Sequence, residues 1–104
     1  VPMLLVAEEI ALSHHECWDG SGYPAGLTGE EIPLSARIVS VVDVFDSLTH
    51  VRAYKRAWTE DEALDEIERL AGTKFDPVVV EAFLRLHGRM GSSVRSKSVG
   101  EGTG

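Results

Sequence analysis

The feature that most constrains this chain is a stretch of glycines and prolines between residues 20 and 33. It contains four glycines and two prolines, and no regular helix or strand carries so many chain-breaking residues. Apolar side chains in and beside the stretch favour an ordered loop packed on the domain over a flexible linker. These anchors are Trp18, Tyr23, Leu27 and Ile32. The loop therefore separates one structured segment before it from others after it.

Hydrophobic periodicity predicts a helix on each side of the loop. Residues 2–16 carry apolar side chains at helical spacing, with Pro2 tolerated in the first turn. Residues 34–50 are apolar almost all round, which is typical of a central element. A buried strand is the alternative for this second run, but its length and its spacing favour a helix.

Two further helices are predicted from their capping signals. A capping box at residues 59–62 starts the third helix, and Gly72 ends it. Asp76-Pro77 starts the fourth, and Gly88 ends it. The expected fold is all-α, with about four helices and one long glycine-rich loop. The positions expected to face the core of the last two helices are Ala63, Leu64, Ile67, Leu70, Val79, Val80, Phe83 and Leu86.

Composition sets the broad class of protein. The 104 residues suffice for one small domain, expected at 1–88, and the glycine- and serine-rich residues 89–104 are expected to be a disordered tail. A net charge of −7 argues against a nucleic-acid duplex as partner. The single Cys17 excludes an internal disulfide, and no signal peptide or membrane-length apolar run is present, so we expect a cytoplasmic protein. An apolar start without Met leads us to expect that upstream sequence has been removed.

Three residue types in this sequence point to a metal site. His14 and His15 end the first helix beside Glu16 and Asp19, which concentrates ligating atoms there. The alternative is a surface helix end with histidines near the negative end of the dipole. Asp43 lies in the middle of the apolar second helix, where a buried carboxylate must be metal-bound or, as the alternative, paired with Arg37 or hydrogen-bonded to a hydroxyl.

A second candidate site lies between the second and third helices. Arg52, Lys55 and Arg56 cluster beside an aromatic residue in an otherwise acidic chain. Charge clusters are usually solvated surfaces, and an anion site is the competing interpretation.

Taken together, the motifs resemble the HD-GYP output domains of bacterial signalling proteins over about residues 1–84. The resemblance implies an all-α fold, a two- or three-metal centre that often holds iron or manganese, and hydrolysis of cyclic di-GMP. The motifs that carry it are His14-His15-Glu16, Trp18-Asp19-Gly20-Ser21-Gly22-Tyr23-Pro24, Ile32-Pro33-Leu34, Asp43-Val44-Phe45-Asp46, Tyr54-Lys55 and Phe75-Asp76-Pro77.

Residue by residue, the resemblance implies roles for three groups of side chains. His14, His15 and Asp43 match metal ligands. Arg52 and Lys55 match cations that hold substrate phosphate. The loop motif Gly22, Tyr23 and Pro24 matches the segment that names the family, with roles in substrate positioning and in contact with diguanylate cyclases.

The chain also departs from the family pattern. It contains no His followed by Asp, and no histidine precedes His14. The dyad that names the superfamily, its neighbouring lysine and the other upstream ligands are missing, so the chain looks like a C-terminal fragment of the domain. We expect the fragment to bind metal weakly, to lack phosphodiesterase activity and to self-associate through uncovered apolar helices. The alternative is a non-catalytic interaction module that uses the loop to contact signalling partners.

Overall fold

The structure is a computed structural model that describes residues 2–51 and 56–89. It contains four α-helices, as the sequence predicts, and a short 3₁₀ helix, η1, in the loop. Within these two ranges there is no β-strand, only an isolated bridge between Ala71 and Phe75. The elements are α1 (Pro2–Ser13), η1 (Gly29–Glu31), α2 (Leu34–Thr49), α3 (Glu60–Arg69) and α4 (Pro77–Leu86).

The predicted capping residues start α3 and α4. The Thr59 hydroxyl accepts from the Glu62 amide, and the Glu62 carboxylate accepts from the Thr59 amide, which completes the capping box. At α4 the Asp76 carboxylate accepts from the Val78 amide, and Pro77 occupies the first turn. Both helix starts are therefore determined by residues within three positions of the cap.

Helix α1 ends at Ser13, three residues earlier than predicted. The Glu16 amide donates to the Ser13 carbonyl as a turn, and the His15 carbonyl accepts from the amide of Tyr23 in the loop. Because the loop uses the His15 carbonyl, the chain leaves the helix where the paired histidines begin.

The core lies between α2, α3 and α4. Its fully buried cluster comprises Val41, Leu64, Ile67, Phe75, Val80 and Leu84. In α4 the inward stripe runs through Val80 and Leu84, one helical turn apart, and Phe83 lies partly buried beside it. Leu86 is 82% exposed, so its predicted core position was wrong. It lies two residues beyond Leu84, and side chains at that spacing point to different faces of a helix.

Helix α1 packs against α2 and buries little of itself. Ser13 is its one fully buried residue, and Ile10 is half-buried. Met3, in the first turn of the helix, is exposed. Neither this helix nor any other in the described part of the chain is long and apolar enough to cross a membrane.

Candidate metal centre and its loop

A cleft of about 350 Å³ between α1 and α2 holds two of the predicted metal ligands. His14 comes from the end of α1 and Asp43 from the middle of α2. The two side chains are the polar members of an otherwise apolar lining made of Ala7, Ile10, Ala11 and Val39. The fold therefore brings an imidazole and a carboxylate from separate helices to one place.

The hydrogen bonding of His14 fixes which ring nitrogen is free. Its Nδ1 lies 2.9 Å from the Ile10 carbonyl oxygen. A carbonyl can only accept, so Nδ1 carries the hydrogen and Nε2 of the neutral ring keeps its lone pair. A backbone carbonyl bonded to one ring nitrogen is the usual way in which a metal-ligating histidine is oriented.

Asp43 is exposed, and the prediction that it is a buried carboxylate was wrong. It lies two residues from the core residue Val41, which places it about 200° further around α2. Arg37, the alternative partner for Asp43, instead pairs with Asp76 at 2.7 Å. Asp43 therefore borders the cleft, where a carboxylate needs no buried partner.

His15 is exposed and lies between two other rings. Its ring centroid is 3.9 Å from that of His14 and 4.9 Å from that of Tyr23, with the Tyr23 ring nearly parallel at 18°. Across residues 2–51 and 56–89, no three His, Cys, Asp or Glu side chains are grouped closely enough to hold a metal ion. The structure thus joins His14 to Asp43 through the cleft and to His15 by ring contact, without closing a three-ligand set.

Glu16 organises the loop, a role that the sequence did not reveal. Its side chain is buried, with the residue 3% exposed. One carboxylate oxygen accepts from the Ala25 amide at 2.7 Å, and the other accepts from the Leu27 amide at 2.8 Å. Glu16 was expected to add ligating atoms beside the histidines, but both of its oxygens are occupied by the loop.

Asp19 also stabilises the loop. Its Oδ1 accepts from the Ser21 amide at 3.0 Å and from the Ser21 hydroxyl at 2.6 Å. These hydrogen bonds stabilise the carboxylate and lower the pKa of Asp19 below its ordinary value of 3.8.

Gly22 of the loop motif lies directly against the end of α1. A Cβ at this position would be 2.4 Å from the Cys17 nitrogen and 2.4 Å from the His15 oxygen. Only glycine allows so close an approach of two backbones. Further along the motif, the peptide bond between Tyr23 and Pro24 is cis.

Backbone contacts and Arg37 attach the loop to the rest of the fold. The amides of Trp18 and Asp19 donate to the carbonyls of Lys74 and Thr73, in the turn between α3 and α4. The Arg37 Nε donates to the Ile32 carbonyl, and its guanidinium lies 6.0 Å from the Trp18 ring centroid. The loop is ordered, as predicted.

Its expected anchors behave differently from one another. Ile32 is buried, and Trp18 and Leu27 are half-buried, whereas Tyr23 is 60% exposed. Tyr23 is therefore a ring on the surface of the site and not an apolar anchor of the loop.

The predicted phosphate-binding cations Arg52 and Lys55 lie outside the described residues. Their neighbour Arg56 is exposed and lies 3.6 Å from the Glu62 carboxylate. Arg89, the first residue of the expected tail, pairs with Asp65 at 2.7 Å. The remainder of the expected tail, residues 90–104, also lies outside the described part.

Several known proteins are similar to this chain in sequence. A cyclic di-GMP phosphodiesterase of Vibrio cholerae is 56% identical over 81 residues, which make up 78% of this chain and 16% of that protein. One of Thermotoga maritima is 54% identical over 85 residues, covering 82% of this chain and 23% of that protein. The chain thus spans less than a quarter of the length of these relatives.

Structural comparison leads to the same family. The crystal structure of a cyclic GMP-AMP specific phosphodiesterase of V. cholerae matches with a TM-score of 0.63 and 33% identity, over 81% of this chain and 21% of that one. The HD domain family matches residues 1–79, well over half of the sequence. This chain therefore belongs to the HD domain family, as its resemblance to HD-GYP domains predicts.

Proposed function

We propose that this chain is the part of a metal-dependent cyclic di-GMP phosphodiesterase that supplies His14, His15 and Asp43 as metal ligands. The observation that carries the proposal is the cleft between α1 and α2, in which the free Nε2 of His14 and the Asp43 carboxylate share an apolar lining. The family match and the names of the relatives support the same reaction class.

The residues present fit a divalent transition metal. Two imidazoles and a carboxylate are a donor set that suits iron or manganese, our proposed cofactors. Such a metal, when bound, polarises phosphoryl oxygens and lowers the pKa of water. His14 and Asp43 would hold it within the cleft, and His15, whose ring centroid lies 3.9 Å from that of His14, would be the third ligand.

The substrate would be held by cations and by the loop. We assign the phosphate groups to Arg52 and Lys55, because guanidinium and ammonium groups neutralise ester oxygens. Gly22, Tyr23 and Pro24 would position the dinucleotide or contact a diguanylate cyclase. One similar structure is named for cyclic GMP-AMP, so the proposed class is a cyclic purine dinucleotide, with cyclic di-GMP as its first member.

Metal titration by calorimetry tests the ligand assignment. We expect His14→Ala and Asp43→Ala each to weaken Mn²⁺ binding at least about tenfold, since ligand geometry is worth that much or more. His50→Asn is the matched control, because His50 is also exposed and pairs with Asp46 at the far end of α2. Equal affinities in all four proteins would remove His14 and Asp43 from the proposal.

The chain alone is proposed to lack activity. Two-metal hydrolysis requires a ligand set that fixes both ions, and the described residues do not close even one three-ligand group. We expect no cyclic di-GMP turnover with excess Mn²⁺, under conditions in which the V. cholerae relative hydrolyses it. Turnover by the chain alone would contradict the proposal and would show that three ligands suffice.

Self-association is proposed from the uncovered apolar surface. Met3, Leu4 and Leu5 of α1 are exposed, as are Ile38 of α2 and Val78 of α4. Ile38 and Val78 line one apolar groove, and exposed apolar surface of this kind drives association. Light scattering is expected to show dimers or larger species, and a compact monomer at micromolar concentration would be the contrary result.

A further inference from the structure

The Glu16 carboxylate is placed to control the shape of the loop rather than to bind a metal. It is buried at the end of α1, and each of its oxygens accepts one backbone amide, from Ala25 and from Leu27. Hydrogen bonds to an ionised acceptor are roughly twice as strong as neutral ones. The loop segment that follows the Gly-Tyr-Pro motif is therefore tied to a single side chain.

The near end of the same loop touches the histidine pair. Gly22 lies against the backbone of residues 15–17, and the Tyr23 amide donates to the His15 carbonyl at 3.3 Å. These contacts bring the Tyr23 ring parallel to the His15 imidazole at 4.9 Å. Because Tyr23 is largely exposed, burial in the core does not explain this stacking.

The loop is thus fixed on both sides of Tyr23. Gly22 sets the chain before the ring, and the amides bound by Glu16 set the chain after it. Only three positions separate Gly22 from Ala25, so little backbone freedom is left between the two attachments. The direction of the Tyr23 ring follows from where these attachments hold the backbone.

We propose that Glu16 is a positioning residue for His15: by holding the Ala25 and Leu27 amides it keeps the Tyr23 ring stacked on the His15 imidazole. The stacking sets the direction of the imidazole beside the His14 ring. The functional meaning of this device rests on the proposed role of His15 as a ligand, whereas the positioning itself is a property of the chain without metal.

A metal-ligand role for Glu16 is the competing explanation, and the contacts disfavour it. Glu16 is buried, is not among the residues that line the cleft, and already binds one loop amide through each of its oxygens. A purely structural role is the second competitor. It predicts a loss of stability with no specific effect on the His15 ring.

Nuclear magnetic resonance on the full 104-residue chain separates these explanations. In the unmodified chain we expect the His15 ring protons to be shifted upfield by the Tyr23 ring, and the Ala25 and Leu27 amides to exchange slowly. In Glu16→Gln, a side-chain NH2 group replaces one of the two carboxylate oxygens. This group cannot accept a hydrogen bond from the loop amide that faces it. The two amides should then exchange at least about tenfold faster, and the His15 shift should disappear.

The matched control is Glu31→Gln. Glu31 also accepts a loop amide, that of Thr28 at 2.9 Å, but it is exposed and lies beyond the segment that carries Tyr23. Its substitution should leave the His15 shift intact. An unchanged His15 shift in a folded Glu16→Gln variant, or equal loss in both variants, would overturn the proposal.

Tyr23→Leu keeps the test decisive if Glu16→Gln does not fold. This exposed substitution should abolish the His15 shift while the Ala25 and Leu27 amides stay protected, because Glu16 holds the loop independently of the ring. Loss of that protection would mean that Tyr23 holds the loop, which contradicts the proposal. These measurements need no metal, so their outcome is separate from that of the Mn²⁺ titrations.

Discussion

The loop beside α1 and the core of α2 to α4 are stabilised by different forces. In the core, six buried apolar side chains pack together, so the stabilisation is spread over many contacts. The loop is stabilised chiefly by hydrogen bonds between its backbone and two side-chain groups, the Glu16 carboxylate and the Arg37 guanidinium. A core of this kind tolerates small shape changes, whereas the loop depends on the presence of single atoms. The candidate site therefore rests on the loop, whose stability depends on single polar atoms.

The largest expected effect comes from removing a core side chain. Leu64→Ala should lower the free energy of unfolding by about 2 to 5 kcal/mol, because it leaves a cavity among α2, α3 and α4. Leu86→Ala, the same chemical change at an exposed position, should alter it by less than about 0.5 kcal/mol. Urea unfolding measures both. Similar values for the two variants would mean that the core is not where stability resides.

The next effect comes from Arg37 of α2, which pairs with Asp76 at the start of α4 and also binds the loop through the Ile32 carbonyl. Arg37→Met removes the partner of Asp76 and the donor to the Ile32 carbonyl. The side chains are 15% and 4% exposed, so the loss should be about 2 to 3 kcal/mol, less than for a fully buried pair. Urea unfolding and amide exchange should both change. Faster hydrogen exchange of the loop amides without a change in the free energy of unfolding would mean that the Arg37–Asp76 pair does not stabilise the fold.

A smaller and more local effect is expected at the glycines of the loop. Gly22→Ala must displace the backbone of residues 15–17, at a cost of about 1 to 3 kcal/mol, and the His15 and Tyr23 rings should separate. Gly29→Ala costs about 1 kcal/mol through its positive φ, but its Cβ would meet open space. The ring separation, read from the His15 proton shifts, should therefore appear in the first variant alone. Ring separation in both variants would show that the loop moves as one body.

The smallest effect is electrostatic. The pKa of Asp19 is lowered by its bonds from Ser21, so its contribution to stability is present above the ordinary value of 3.8 and is lost as pH falls through the lower folded pKa. Ser21→Ala should raise the Asp19 pKa towards 3.8 in a carboxyl titration by nuclear magnetic resonance.

Glu62 is the internal control for that titration. Its pKa is lowered first by the Thr59 amide at the cap of α3, in the other region of the molecule. It should not respond to Ser21→Ala. A coupled change in both carboxyl groups would show that the loop and the core do not act independently.

The sequence predicts the parts of this fold that depend on neighbours in the chain. The starts of α3 and α4 were predicted correctly because Thr59 and Asp76 each cap an amide two or three residues away. The loop was predicted correctly because proline restricts the backbone and glycine frees it, and both effects disfavour regular helices and strands wherever these residues occur. The predicted end of α1 was wrong, because the helix end depends on a loop residue, Tyr23, whose amide donates to the His15 carbonyl.

The parts that depend on distant partners could not be predicted. Glu16 binds amides nine and eleven residues away, and a backbone amide leaves no pattern of residue types to recognise. The partner of Arg37 lies 39 positions away. The exposure of Asp43 depends on which face of α2 the other helices cover. The family resemblance supplied the candidate ligands, but it could not supply these contacts.

The bonds from Trp18 and Asp19 to the turn between α3 and α4 join main chain to main chain, and this has an evolutionary consequence. Their acceptors are the carbonyls of Lys74 and Thr73, groups that every amino acid possesses. Substitutions at positions 73 and 74 can therefore accumulate while the attachment of the loop persists. Proline is the exception, because the amides of both residues donate to the Leu70 carbonyl. This turn is a surface on which related proteins can diverge in charge and shape without disturbing the histidine pair.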